Sequence, residues 1–495
     1  MSALPSSLFP AKGRLRALAG VALLALTLAG CASLPDPPKI EEDKIIAAPM
    51  APAAPTEPPR SAEHRRLVQL YGGEYKMPRM AALLDELLAR LAPASDTPGA
   101  PYHVTILNSP VVNAFALPSG DIYVTRGLLT LAQDGSEVAA VMAHEIAHVS
   151  ARHASARADL EKRGQVVKRV VSEVLARPGE GEKVAEKSKL TLASFSRNQE
   201  IEADRIGVAN IARAGFDPYG ATRFLNALGR STSLRAAALG QKGGEKADLN
   251  ATHPSTPERV QAALRVARQY GAPGIGKNFR AEYLGALDGM IYGDDPSEGY
   301  ARGRRFLHPK LGFSFEAPDG FVLENGPKAL LGVAGGGAEA LRLDSVRVSA
   351  STPLGTYLSS GWIEGLETGS IETSQINGLP AALALARGQD WTFRLAAVRF
   401  GTDVYRMIFA TRSLTPRDDQ RFLASIRSFR RLSNGEASTA RPLRLAVASA
   451  DDASPEALAQ RMQGVDRPLD VFLLLNGLER SERLTLGEKY KLVVE

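Results

Sequence analysis

His144-Glu145-Ile146-Ala147-His148 is the stretch from which the rest of this sequence is read. At about 100° per residue, helix positions four apart lie about 40° from each other, so both imidazoles leave one face and can grip a single ion. Glu145 stands beside them, within reach of a water on that ion. With seven histidines in the chain, the pattern arises by chance in well under about 1% of such sequences. Its surroundings are those of a helix beginning near Ser136. Asp134 and Glu137 offer a capping-box pattern at its start, and Val138, Val141, Met142 and Ile146 are among its apolar positions.

A zinc ion held this way needs a third protein ligand and an open fourth position. His153 lies nine residues from His144, which on a continuing helix turns it about 180° away, so it reads as a surface or packing histidine. The position that a longer three-histidine motif would need is Ala154. A better source is the helix expected from about Ser196 to Gly215, where Glu200 and Asp204 are four apart. One of the two can bind metal while the other orients a ligand histidine from outside. Glu202 points elsewhere on that helix and reads as solvated or structural. His253, standing before Pro254, reads on its own as a turn residue.

Upstream, Leu83, Leu84, Leu87, Leu88 and Leu91 give Met80–Leu91 helical spacing. Tyr102–Leu107, Val111–Leu117 and Asp121–Thr125 read as three short strands of a small antiparallel sheet, broken at Ser109-Pro110 and Pro118-Ser119-Gly120. Downstream, Gln165–Leu175 and Val184–Phe195 read as helices. Leu228–Asn250, with Gly240, Gly243 and Gly244, reads as either a mobile lid or a simple connector.

Four motifs in order now resemble one family. They are Asn113–Leu128, His144-Glu-x-x-His148, Ser196-Arg-x-x-Glu200-x-x-Ala203-Asp204, and Thr252-His253-Pro254-Ser-Thr-Pro-Glu-Arg259. The chain from about Ser61 to Ile275 is similar to the gluzincin metalloproteases that include HtpX, BepA and the CAAX prenyl proteases. The resemblance implies one zinc ion on His144, His148 and Glu200, with Glu145 as general base and Asp204 supporting a ligand from behind. It places His253 near the metal, on the transition-state oxyanion or as a switchable extra ligand. The implied activity is peptide-bond hydrolysis, with the Val111–Leu117 strand pairing an extended substrate.

The ends of the chain carry other signals. Lys12, Arg14 and Arg16 precede an uncharged run from Ala17 to Gly30, as in an export signal; the run is short for a bilayer span. Leu28-Ala-Gly-Cys31 resembles the bacterial lipobox, which implies a signal peptide over 1–30 and lipidation at Cys31. Ala32 in the next position implies the outer membrane. Residues 31–60 are Pro/Ala-rich and read as a tether. Cys31 is the only cysteine of the 495 residues, which excludes a disulfide scaffold and a thiolate zinc site. Losing three basic residues with the signal takes the net charge from +6 to about +3. No basic stripe interleaved with aromatics is present, so no nucleic-acid partner is expected.

The fold class is therefore α+β and multidomain: a mainly helical zincin domain (61–275), a strand-rich α+β domain (276–435) and a small terminal unit (436–495). In the second, Phe313–Glu316, Leu341–Val348, Trp391–Leu395 and Tyr405–Phe409 alternate as strands do, and Asp418–Phe429 reads as a helix. No period of 34 residues marks a tetratricopeptide array. The tail resembles a degenerate LysM module through Leu474-Leu-Asn-Gly-Leu478, Leu484, Gly487 and Lys489–Leu492, with Asp451–Ser454 in place of the usual Gly-Asp-Thr. That resemblance implies peptidoglycan as a possible partner.

Two classes of function compete. One is a lipid-anchored zinc endopeptidase of the periplasmic face, with unfolded or misassembled envelope proteins as substrates. The other is a non-proteolytic, chaperone-like lipoprotein docking on peptidoglycan or an assembly machine. Glu145 favours the first, since a binder has no need of that carboxylate. A peptidoglycan hydrolase has the support of the tail alone.

Overall fold

The computed structural model describes residues 62–154, 195–240, 253–361, 363–433, 435–436 and 441–495. The expected signal peptide, Cys31, the tether, and the two helices expected over 165–175 and 184–195, apart from Phe195, lie outside the described residues. Among the described residues, no helix is long and apolar enough to cross a membrane.

α1 (Ala62–Leu70) leads into α2 (Pro78–Ala94), which starts on a proline and buries Met80, Leu83, Leu84, Leu87, Leu88 and Leu91 along one stripe. Three strands follow: β1 (His103–Leu107), β2 (Ala114–Ala116) and β3 (Asp121–Thr125). Their order is β1-β3-β2, with β1 parallel and β2 antiparallel to β3, so the small sheet is mixed rather than antiparallel as expected. Residues 108–113 carry the chain across to the far edge of β3, and this leaves β1 and β3 running the same way. The second strand is also shorter than Val111–Leu117. The Thr125 hydroxyl, 2.5 Å from the Val111 carbonyl and 3.0 Å from the Asn113 nitrogen, holds that backbone in place of the ladder.

α3 (Arg126–Leu131) is followed at an elbow by α4 (Gly135–Ser150), the central helix. Asp134 caps α4 by accepting the Glu137 N–H at 3.0 Å, and Glu137 reaches back to accept the Gln133 N–H at 2.9 Å. Every side of α4 from Gly135 to His148 is buried, because α5 (Arg197–Arg213), α6 (Gly220–Ala238), α2 and β2 all pack on it. Ser196 and Gln199 form a full capping box on α5, and Gly215, just past its end, lies in the left-handed region (φ +81°). α6 runs through Ala238, so the first part of the expected lid or connector is regular helix; residues 241–250 lie outside the described residues. α7 (Pro257–Tyr270) and α8 (Arg280–Leu287) complete this part.

The strand-rich part has a seven-stranded antiparallel sheet. It is made from β7 (Val322–Asn325), β8 (Leu330–Ala334), β9 (Glu339–Arg347), β10 (Glu372–Ile376), β11 (Leu379–Arg387), β12 (Thr392–Phe400) and β13 (Asp403–Thr411) in the order β10-β11-β12-β13-β9-β8-β7. A second sheet joins β4 (Tyr300–Arg302), β5 (Arg305–His308), β6 (Phe313–Glu316) and β14 (Arg430–Arg431). Alternation along each strand serves two cores. Leu383, Val398, Met407 and Phe409 face the side of Phe313, Phe315 and α10 (Pro416–Arg427). Ala382, Ala384, Leu395 and Val404 face α9 (Leu354–Leu358).

Residues 441–495 form β15 (Arg444–Ser449), α11 (Pro455–Ala459), α12 (Pro468–Leu475) and β16 (Lys489–Val494), the two strands pairing antiparallel. The apolar core of this unit is continuous with that around α4 and also takes in Phe279, Tyr283, Leu287 and Met290 of the α8 region. The backbone of Gly289–Tyr292 pairs with Leu443 and Leu445.

Candidate metal centre

α4 supplies His144, Glu145 and His148, α5 supplies Glu200 and Asp204, the segment before α7 supplies His253, and the first turn of α7 supplies Arg259. α4 and α5 approach closely at Gly207, where an added Cβ would lie 3.1 Å from the His144 nitrogen and 3.3 Å from its Cα. Gly207 is seven residues from Glu200, so the same face of α5 carries the contact and the carboxylate.

One ligand atom each from His144, His148, Glu200 and His253 lies within 4.8 Å of all the others. His144 Nε2 and His148 Nε2 are 3.0 Å apart, and each is 3.5 Å from a Glu200 oxygen. His253 Nδ1 is 2.9 Å from Glu200 Oε1 and 3.3 Å from His144 Nε2. Glu145 is buried beside them, with its Oε1 3.7 Å from His253 Nε2. The expected residues are therefore gathered at one point, including His253, whose sequence context alone suggested a turn.

The outer sides of the histidines are held as well. His144 Nδ1 is 3.0 Å from Asp204 Oδ1. His148 Nδ1 is 2.8 Å from His153 Nδ1, and His153 Nε2 is 3.5 Å from Glu202 Oε2. The expectation that His153 turns away is corrected here. α4 ends at Ser150, and Arg152 takes a left-handed conformation (φ +54°), which folds His153 back beneath His148, where it is 4% exposed. Glu202, half exposed, takes the structural one of its two expected roles, at the end of the same chain of contacts.

Arg259 has a role that the sequence reading missed. It grips Asp204 with two bonds of 2.7 and 2.8 Å, lies 2.8 Å from Glu200 Oε2, and donates to the Pro254 carbonyl at 2.9 Å. The available signal was electrostatic: a cation in the first turn of a helix opposes the macrodipole and calls for an anionic partner. Phe195 stacks on the His148 ring at 4.0 Å between centroids.

Burial and neighbours set the charges. Burial pushes the Glu145 carboxyl up. Burial acts the same way on Glu200, but hydrogen bonds from His144, His148 and His253 outweigh it and hold Glu200 far below the usual carboxylate range. Against burial, Asp204 and Glu200 push His144 up to about 10, whereas burial pushes His148 down to about 3. Among the described residues three buried carboxylates (Glu145, Glu200 and Asp204) surround Arg259 and His144, and a metal ion bound here would take the place of the proton that Asp204 and Glu200 hold on His144. Two imidazoles, a carboxylate and outer partners on each imidazole fit one zinc ion.

The chain matches peptidase family M48 over residues 78–267. It is 37% identical over 169 residues to the mitochondrial metalloendopeptidase OMA1 of Arabidopsis thaliana, covering 34% of this chain and 32% of that protein. It is 28% identical over 201 residues to the beta-barrel assembly-enhancing protease of Escherichia coli (strain K12), covering 39% and 40%. With OMA1 of Schizosaccharomyces pombe the identity is 30% over 178 residues, covering 36% and 50%. The chain thus spans about a third to a half of the length of these relatives. The stretch that matches peptidase family M48 holds His144, Glu145, His148, Glu200, Asp204, His253 and Arg259.

Proposed function

We propose that the chain is a zinc-dependent endopeptidase of the bacterial cell envelope that degrades misfolded or misassembled periplasmic and outer-membrane proteins. The observation that carries the reading is the convergence of His144, His148 and Glu200 within 4.8 Å, with the buried Glu145 alongside. In this reading those three residues hold one zinc ion, and Asp204, tied down by Arg259, keeps His144 turned toward it. When bound, zinc supplies Lewis acidity to the scissile carbonyl and acidifies water. Glu145 accepts the proton of the attacking water and returns it to the leaving amine, a task suited to a carboxyl raised by burial. His253 acts on the oxyanion or serves as a fourth, displaceable ligand. β2, at the edge of its sheet, offers its free side to an extended substrate backbone.

Envelope placement is supported by the Leu28–Cys31 sequence and by relatives named as beta-barrel assembly-enhancing proteases. The reading includes a lipid anchor at Cys31, attachment to the periplasmic face of the outer membrane, and contact with peptidoglycan through the LysM-like unit. Conversion of Cys31 to Ser should release the protein from membranes, and purified sacculi should retain the full chain.

The activity is tested with the purified protein, casein as substrate and zinc content measured in parallel. Glu145→Gln should keep its zinc and lose about 10²–10⁴-fold in cleavage rate. Equal cleavage by both proteins, insensitive to chelator, would overturn the assignment.

A further inference from the structure

Five consecutive carbonyls at the elbow between α3 and α4 accept hydrogen bonds from side chains, and most of the donors lie outside residues 78–267. Tyr283 donates to Leu129. The Lys491 ammonium donates to Thr130 at 2.8 Å, Leu131 at 3.4 Å and Ala132 at 2.7 Å. Gln133 also donates to Leu131 at 2.8 Å, and Arg280 donates to the Gln133 carbonyl at 3.0 Å. An ammonium has three protons, and all three are spent on the end of α3.

Lys491 is fully buried, and its own backbone is fixed on both sides by Asn476, which accepts its N–H at 2.7 Å and donates to its carbonyl at 2.9 Å. Arg280 bridges the Gln133 carbonyl to that of Lys489, and Arg230 of α6 donates to Leu478 at 2.7 Å. The elbow runs straight into Asp134, the cap of the helix that carries His144, Glu145 and His148. A helix is stiff along its axis, so the position of its first turn sets where those three side chains stand.

We infer that Lys491 is a positioning residue for the metal centre: from the last strand of the chain it pins the elbow, and residues 441–495 thereby form a working part of the peptidase domain rather than a freely tethered module. Its consequence for zinc rests on the function proposed above; the clamp itself does not. The partner surface is intramolecular, and the ligand it captures is the row of unpaired carbonyls that every helix C-terminus leaves.

The test uses the full chain. Lys491→Met should raise the zinc dissociation constant at least tenfold and speed amide exchange over residues 129–138 at least tenfold, with exchange in β11–β13 unchanged. Lys489→Met, altering an exposed neighbour, should change neither. In a second arm a specific protease site is placed between Glu436 and Arg441 and cut in the folded protein. The 441–495 fragment should stay bound through gel filtration. Should Lys491→Met fail to fold, this arm decides. A fragment that separates while zinc affinity stays intact overturns the inference, as does a Lys491→Met protein with wild-type exchange at the elbow. Wild type that takes up no zinc would instead sink the metalloprotease reading, and the exchange data would still judge the clamp.

Discussion

His153 Nδ1 lies 2.8 Å from His148 Nδ1, on the side of the His148 ring away from the ligand cluster. For His148 to offer Nε2 to a metal its proton must sit on Nδ1, and that proton is donated to His153, whose own Nε2–H is then directed at Glu202. His153 therefore fixes both the tautomer and the tilt of His148. His153→Ala should weaken zinc binding by about 10–100-fold. A chelator competition assay measures this, and His153→Gln, which keeps an acceptor, should recover part of the loss.

Arg259 neutralises two buried carboxylates, Asp204 and Glu200. Removing one partner of such a group leaves uncompensated charge in the interior, so Arg259→Met should cost about 3–5 kcal/mol in the metal-free protein. Urea unfolding in the presence of chelator reads this. Arg259→Lys should restore only part of the loss, because an ammonium returns the charge but cannot make the two-pronged contact with Asp204.

Gly207 sets the spacing of the two helices that share the site. Alanine there places a methyl 3.1 Å from the His144 backbone, so the helices must part slightly. The expected cost of Gly207→Ala is about 1–3 kcal/mol, with weaker zinc binding as Glu200 draws back. Gly207→Val should abolish zinc binding. Metal analysis after dialysis distinguishes the two.

His308 provides a pH test away from the centre. Buried among Phe306 and Phe313, and accepting the Leu311 N–H on Nδ1, it is pushed down to about 4, chiefly by burial. Between about pH 6.5 and 4 the unfolded chain binds this proton and the native chain does not, so stability falls as pH falls through that window. His308 should account for about 2–3 kcal/mol of the loss. Denaturant midpoints at pH 7 and 4.5 should converge more closely in His308→Gln, which keeps an acceptor for Leu311.

The helices and strands read from the sequence are those whose instructions are local. The leucine stripe of α2, the Asp134 cap and the alternation in β9, β12 and β13 each act within one element. The four-residue spacings His144/His148 and Glu200/Asp204 are likewise properties of a single helix; they marked both helices, while the choice of Glu200 over Asp204 as ligand came from the family resemblance. His153 departs from the helical rotation because α4 ends at Ser150 and one left-handed residue, Arg152, reverses the chain's direction there. The mixed pairing of β1, β2 and β3 went unseen because strand direction depends on how residues 108–113 cross the sheet, and they carry no periodic signal.

Rotation angle and apolar period follow from covalent geometry and from the water-avoidance of side chains. On that basis the amino-acid order alone determined a zinc-type pair of imidazoles, the carboxylate helix to go with it, and a strand-rich portion beyond. Tertiary structure alone decided that Arg259 neutralises Asp204 and Glu200, that His153 stands behind His148, and that Lys491, more than three hundred residues from α3, closes the elbow at the head of the metal helix. Those contacts join buried charges and unpaired backbone carbonyls from distant elements, and in a low-dielectric interior such groups must find partners wherever packing brings them.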